Sequence, residues 1–561
     1  MVVQILSFSL ANLPISLASH DQLFSHSDFE PCIAMANNVI ATGGAHQCIF
    51  RTKTIPDIHH PHGPFTETRI LLNPRFMALV HPKLVFSSTL DDEEKLFYTY
   101  NHVMHGFSAK LTPSQLSKLE KSLAHRATYQ ESFGKLLTTR TPKFLSLKHK
   151  TGVWPASSSL ELDLLVEDSL HRENKSPRKT TLNQPGTTIV TAHTASTAAS
   201  SYVLGASHFG YARGTARGVA PSAHVAMYKV LWSTSTVEIA ASDVLTGMDQ
   251  TIVDGLDIMS LSLALPKTPY FEDVIAIASL SAIEKGIVIV CAAGNKGGSE
   301  HNIRQSTMDH HSSTSSRLFF LGVLKPDILA LGQDVLAAVV PNKAYFKVGN
   351  YNMVTDYGFI SRTSMATPYV AGVTALLKVV HHDWSPAAIR SAIMTTANTL
   401  DNTDTALKDQ LTGLSATPLD FGAGHINPNK AMDPRLIYNM GFQDYVDFLC
   451  RLGYNKKQMS AVLRRNQWSC NQNPTDLNYP SFITIFPRNT SSVTAETFSR
   501  VVTNVGDDTA IYRAIVVVPS GISIKVEPST LIFTSKYQKQ SFVVSIEIDK
   551  VAPNIQYGNL K

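Results

Sequence analysis

Ser361-Arg362-Thr363-Ser364-Met365-Ala366-Thr367-Pro368 runs directly into Tyr369-Val370-Ala371-Gly372-Val373-Thr374-Ala375-Leu376-Leu377-Lys378. A small polar cluster holding a serine opens a segment apolar on nearly every side. Val370, Ala371, Val373, Ala375, Leu376 and Leu377 leave little polar surface, which places this helix inside a large domain. Pro368 suits a first helical turn, where a missing N–H goes unused. Ser364 then stands near the N-terminus of a buried helix, where unpaired N–H groups and the helix dipole favour an anion. That place suits a nucleophile that must carry an oxyanion intermediate. The plain alternative is a serine that helps to cap a core helix.

Around this helix the pattern alternates. A strand is expected over 223–231, fed by a Gly-rich loop from 214, then an amphipathic helix over 241–255. A strand over 258–263, a helix over 271–286 and a buried strand with a turn over 286–295 follow. Strands alternating with helices argue for an α/β domain with a parallel, doubly wound sheet. Upstream, 96–111 reads as two short strands with a turn near Gly106. The helix 112–122 follows, with Thr112 as N-cap and Pro113 in the first turn. Downstream, 498–506, 510–518, 522–528 and 540–548 are alternating strands separated by turn residues, hence a β-sandwich. Residues 1–75 give no periodic pattern.

The 561 residues suffice for two to four domains, and 43% hydrophobic with 17% charged residues describes a globular chain. A net charge of +5, spread along the chain, gives no sign of a nucleic-acid or membrane partner. No run of eighteen or more apolar residues points to a spanning helix. MVVQILSFSLANLPISLAS (1–19) is apolar and ends in small residues, like a secretory leader. Yet no Lys or Arg precedes Arg51, and Pro14 interrupts the run. Of the five cysteines, Cys450 and Cys470 flank a short polar stretch: a disulfide if the chain is exported, two thiols otherwise. Asn489-Thr490-Ser491 and Asn174-Lys175-Ser176 are glycosylation sequons. Asp309-His310-His311 reads as an exposed loop. No metal site and no cofactor site is expected.

The 361–378 stretch resembles the nucleophile motif of subtilisin-like serine proteases, Gly-Thr-Ser-Met-Ala/Ser-x-Pro-His-Val-Ala-Gly, with Arg362 in place of the glycine and Tyr369 in place of the histidine. The resemblance makes Ser364 the catalytic serine. It makes Asn295, in Ala292-Ala293-Gly294-Asn295, the oxyanion-hole amide. Ser262-Leu263-Ala264, where the family has Ser-Leu-Gly, becomes the edge that pairs with substrate backbone. Further blocks at 420–434, 444–454 and 476–482 are similar to the plant type. The implied organisation is an unassigned, leader-like 1–75 and an inhibitory α+β prodomain over 76–137, with maturation just before Thr138. A catalytic domain over 138–470 follows, without the protease-associated insertion, and then a fibronectin type III-like domain over 471–561. The implied partners are a polypeptide substrate or peptide ligand and the chain's own prodomain. The implied location is extracellular or cell wall.

A serine needs an adjacent base, and the base an orienting carboxylate. The family's histidine block is Gly-His-Gly-Thr-His-Thr, its first histidine the base. Laid on Ile189-Val190-Thr191-Ala192-His193-Thr194, the base position falls on Val190, and His193 matches the second histidine. His193 would have to slide about 4–5 Å to serve, beyond hydrogen-bond reach; it reads as a structural residue at a helix start. In the aspartate block, Asp163-Leu164-Leu165-Val166 begins the strand, but Glu167-Asp168-Ser169-Leu170 replaces Asp-Thr-Gly, and Gly152–Ser157 (GVWPAS) precedes it. Asp168 reads as a solvated charge. Three readings stand: an endopeptidase working through an acyl-enzyme on Ser364, a non-catalytic relative that binds peptides, or the product of a decayed or misassembled gene.

Overall fold

The computed structural model describes residues 3–10, 66–72, most of 96–136, 163–167, most of 189–294, 306–307 and, with short breaks, 323–561. Its centre is a five-stranded sheet in the order His224–Tyr228, Asp163–Glu167, Ile258–Leu261, Val288–Ala292, Ser306–Thr307. The first four strands are parallel and the last antiparallel. Side chains alternate between two apolar layers. Val225, Met227, Ile258, Val288 and Val290 face the layer built by the helix Thr363–Val380. Ala226, Tyr228, Met259, Leu261, Ile289 and Cys291 face the layer built by the helices Ala241–Asp254 and Val274–Glu284. A sheet covered on both faces is the arrangement that continuous apolar strands require.

The opening helix is buried along most of its length, as its composition demands. It crosses the helix Ile189–Ala199 at close range: a Cβ on Gly372 would meet Val219 Cβ at 2.6 Å and the Ala198 carbonyl at 3.0 Å. Gly372 therefore permits the approach. The helix begins at Thr363, so Pro368 lies in its second turn and not in the first as its preference suggested.

The expected helix near 112 is Pro113–Glu120. Thr112 caps it, and Gln115 reaches back to the Thr112 N–H at 2.9 Å. Its sheet runs Leu96–Tyr100, Gly106–Leu111, Thr66–Leu72, His125–Gln130, all neighbours antiparallel. Thr66–Leu72, read from the sequence as featureless, supplies an inner strand, so this unit begins upstream of residue 76. It rests on the central domain: the His102 N–H donates to Asp249 Oδ1 at 2.7 Å, and Arg464 donates to the His102 carbonyl at 3.2 Å. The Gly-rich run from 214 is not a loop at its start, for Tyr211–Ala216 pairs with Val203–His208 as a hairpin.

The C-terminal strands form the expected sandwich around Tyr438, Phe482, Phe498, Phe533, Phe542 and Ile546. The 510–518 run is two strands, Ala510–Arg513 and Val516–Val517, which pair in different sheets. A buried polar cluster fixes the sandwich to the central domain. Lys325 Nζ donates to both Asp327 oxygens at 2.8 Å and to Tyr479 Oη at 2.8 Å, and the Tyr479 hydroxyl donates to Asp327. Arg500, also buried, donates to the carbonyls of Tyr479 at 2.8 Å and Ser481 at 3.0 Å. Cys450 and Cys470 are joined as a disulfide.

Removing one member of a buried ion pair strands its partner, so Asp327→Ala is expected to destabilise the fold by about 3–5 kcal/mol, read by denaturant unfolding. His425 gives a second expectation. Burial pushes its imidazole down to about 4 from the usual 6.5. The unfolded chain therefore binds a proton that the folded chain refuses between those values, and stability falls as pH drops from about 6.5 to about 4. Unfolding titrations of wild type and His425→Gln are expected to diverge across that window, the variant being flatter by on the order of 3 kcal/mol.

Candidate functional site

The helix Thr363–Val380 points its N-terminus at the carboxyl edge of the sheet, where open α/β sheets place their ligands. Arg362, the N-cap residue, is extended and exposed, and its N–H donates to the Gly332 carbonyl at 2.9 Å. Thr363 and Ser364 are fully buried.

Ser364 is held by a reciprocal pair. Its hydroxyl donates to the Ser262 carbonyl at 3.1 Å, and the Ser262 hydroxyl donates to the Ser364 carbonyl at 2.9 Å. Pro368 explains the second bond. In a regular helix the N–H of residue 368 would serve the carbonyl of residue 364; proline has no N–H, so the carbonyl is left for another donor. Ser262 supplies it. Among the described residues no histidine, lysine or carboxylate hydrogen-bonds the Ser364 hydroxyl.

His193 lies in the helix Ile189–Ala199 and is fully buried. Its Nε2 lies 3.1 Å from the Val335 carbonyl and 3.2 Å from the Gly358 carbonyl, and its Nδ1 lies 2.8 Å from Met365 Sδ. Two carbonyls at one nitrogen fix the proton there. The ring thus ties its helix to the strand pair Val335–Ala338 and Tyr357–Ile360. The sequence placed this histidine in a structural role at a helix start; it lies instead in the second turn of the helix, where its contacts tie neighbouring elements together. Val190 occupies the first turn of the same helix. Tyr369, where the family has histidine, is fully buried, and burial holds its hydroxyl well above the ordinary phenol range.

The strand Asp163–Glu167 sits between its two parallel neighbours and ends, at Glu167, on the same carboxyl edge. Asp168, Asn295, Thr138 and Asp309-His310-His311 lie outside the described residues. The chain reaches Gly294 in a left-handed conformation, φ +88°, directly after the buried strand Val288–Ala292.

The expected substrate edge carries a strand. Phe133–Leu136 runs antiparallel to Leu263–Ala264, with Leu136 opposite Leu263 and Lys135 opposite Ala264. On its other side it runs antiparallel to Ile239–Ala240. The segment that follows the small N-terminal sheet therefore lies as the middle strand of three. Ser262, next to this edge, is the residue bonded to Ser364, so the strand-binding edge and the buried serine share one short segment. The Ile239–Ala240 side of the cleft was not foreseen. Its signal was faint: two apolar residues just before a helix.

The profile of the Subtilase family matches residues 172–309 and 301–424, Peptidase inhibitor I9 matches 73–132, and Fibronectin type-III domain matches 476–561. Subtilisin-like protease SBT3 of Solanum lycopersicum is 30% identical, over 81% of this chain and 86% of that protein. Subtilisin-like protease SBT1.6 of Arabidopsis thaliana is 27% identical, over 83% and 89%. The first alignment extends over 657 residues, more than the whole 561-residue chain, so that relative has stretches with no counterpart here. Among solved structures, fervidolysin from Fervidobacterium pennivorans, a keratinolytic enzyme related to subtilisin, superposes with a TM-score of 0.45 at 15% identity, covering 69% of this chain and 64% of that one.

The Ser262–Ser364 exchange gives a test by double-mutant cycle. Ser262→Ala leaves the buried Ser364 carbonyl without a donor and is expected to destabilise by about 1–3 kcal/mol. In a Pro368→Ala background the helix recovers its own N–H, and the same substitution is expected to cost less. Denaturant midpoints of the four proteins give the coupling.

Proposed function

This chain belongs to the subtilase family of serine proteases, and from that premise we propose that it is a non-catalytic member that binds extended polypeptide in the family's cleft. The observation that carries this reading is the strand Phe133–Leu136, held on both sides by main-chain pairing at Ile239–Ala240 and Leu263–Ala264. Strand addition of this kind takes its affinity from the backbone and tolerates many sequences. The ligand class is therefore an extended peptide, and the chain's own prodomain segment is the first example. Ser262, Leu263 and Ala264 form the binding edge.

Turnover is a separate matter. Ser364 stands at a helix N-terminus that favours developing negative charge, and Asn295 is the candidate second donor. A neutral serine hydroxyl is nonetheless a weak nucleophile. Here it donates to a backbone carbonyl, which can never accept the proton as a base. His193 is engaged by the Val335 and Gly358 carbonyls, and valine occupies the position of the base. In subtilisin itself, loss of the base lowers turnover by about 10⁶, leaving roughly 10³–10⁴ over water from binding and the oxyanion hole. The disulfide Cys450–Cys470 supports an oxidising, extracellular setting.

The second reading is an active endopeptidase forming an acyl-enzyme on Ser364. It rests on the same serine and its helix. A fluorophosphonate probe separates the two. Applied to the full chain and to chain cut within 137–147, the probe is expected to label Ser364 no more than it labels Ser364→Ala. Labelling that disappears in Ser364→Ala would show an activated serine and establish the second reading. A synthetic peptide spanning 130–138 is expected to bind the cut chain in both wild type and Ser364→Ala.

A further inference from the structure

The N-terminal residues 3–10, leader-like in composition, form a strand inside the C-terminal sandwich. Val3–Leu10 pairs parallel with Ser481–Pro487, in a register running from Gln4 opposite Ser481 to Leu10 opposite Pro487. On its other side it pairs antiparallel with Ile555–Leu560, from Val3 opposite Leu560 to Phe8 opposite Ile555. The sheet order is Ser481–Pro487, Val3–Leu10, Ile555–Leu560, Val516–Val517. Residues 3–10 are thus an inner strand, and among the described residues Ser481–Pro487 has no other neighbour in that sheet.

That position has an energetic meaning. With residues 3–10 removed, two strands face each other across a one-strand gap, each with a row of unpaired N–H and C=O groups. Both belong to a folded core: Phe482 and Leu560 are buried among the sandwich's aromatic and aliphatic side chains. A strand filling that gap has a fixed polarity, parallel to one wall and antiparallel to the other.

We infer that the C-terminal sandwich of this protein is a strand-accepting site and that residues 3–10 of the same chain are its occupant. The main chain supplies the binding, as in other cases of strand addition. The occupant is tethered through the polypeptide, so its effective concentration at the slot is high even where its intrinsic affinity is modest. Removal of the leader-like segment by a peptidase and completion of the sandwich by that segment are alternative fates of the same residues. A chain that loses its N-terminus presents an open slot to any strand of the same polarity. This inference concerns the sandwich alone and stands or falls independently of the cleft.

Hydrogen exchange tests it on the full chain and on a chain lacking residues 1–11. Truncation is expected to quicken amide exchange at 481–487 and 555–560 by tenfold or more, while 288–292 in the central sheet is unchanged. A synthetic peptide of residues 2–11, added to the truncated chain, is expected to restore protection at both segments; the same peptide in scrambled order is not. Within the full chain, Leu6→Pro removes a ladder N–H and is expected to reproduce the truncation, whereas Leu6→Ala keeps protection close to wild type. Unchanged exchange at 481–487 and 555–560 after truncation overturns the inference. If truncation unfolds the whole sandwich, recovery with the peptide supports the inference, and failure to recover overturns it.

Discussion

The buried helix Thr363–Val380 must end against the sheet without leaving a polar group unpaired, and the exchange between Ser262 and Ser364 meets that constraint. A proline in the second turn withholds one N–H, and a serine at the end of a neighbouring strand returns a donor to the same carbonyl. The two hydrogen bonds set the distance between the helix N-terminus and the carboxyl edge of the sheet. Gly372 sets the distance farther along, where the helix meets Val219 and Ala198. Fixed at its N-terminus and at its middle, the helix closes one face of the central sheet. The His193 ring, wedged between Met365 and two carbonyls, locks the adjacent helix into the same body.

Much of this was legible in the residues. The 361–378 stretch declared a core helix because no polar face was available for solvent. The strands around 226, 260 and 290 were legible as continuous apolar runs, which only a sheet covered on both sides accommodates. Thr112 with Pro113 and Gln115 announced a helix start through chemistry confined to four residues. What escaped was long-range. Thr66–Leu72 and Val3–Leu10 become strands by pairing with partners distant in the chain, and nothing local marks such a partner. Pro368 misled for a related reason: its preference for a first turn is a local tendency, and a tertiary donor from Ser262 overrode it.

The candidate site shows the same division. The helix that carries Ser364 and the strand that leads to Ser262 were readable because each is a packing element of the core. The partners of His193 were not, since two backbone carbonyls carry no sequence signature. The cleft's second wall at Ile239–Ala240 is likewise a main-chain feature. Main-chain pairing on two sides asks little of the side chains, because the ladder hydrogen bonds come from the backbone.

The proline at 368 carries a further consequence. Where a residue that could serve chemistry also plugs a hole in the hydrogen-bond ledger of the core, selection on folding alone preserves it. Thr363, Ser364, Met365 and Pro368 are all fixed by burial or by the Ser262 exchange. None of those contacts requires a proton to move. The motif is therefore held in place by architecture as such, in the way a keystone is held by its arch and not by the door beneath it. In this scaffold the informative witnesses to activity are the positions with no packing duty.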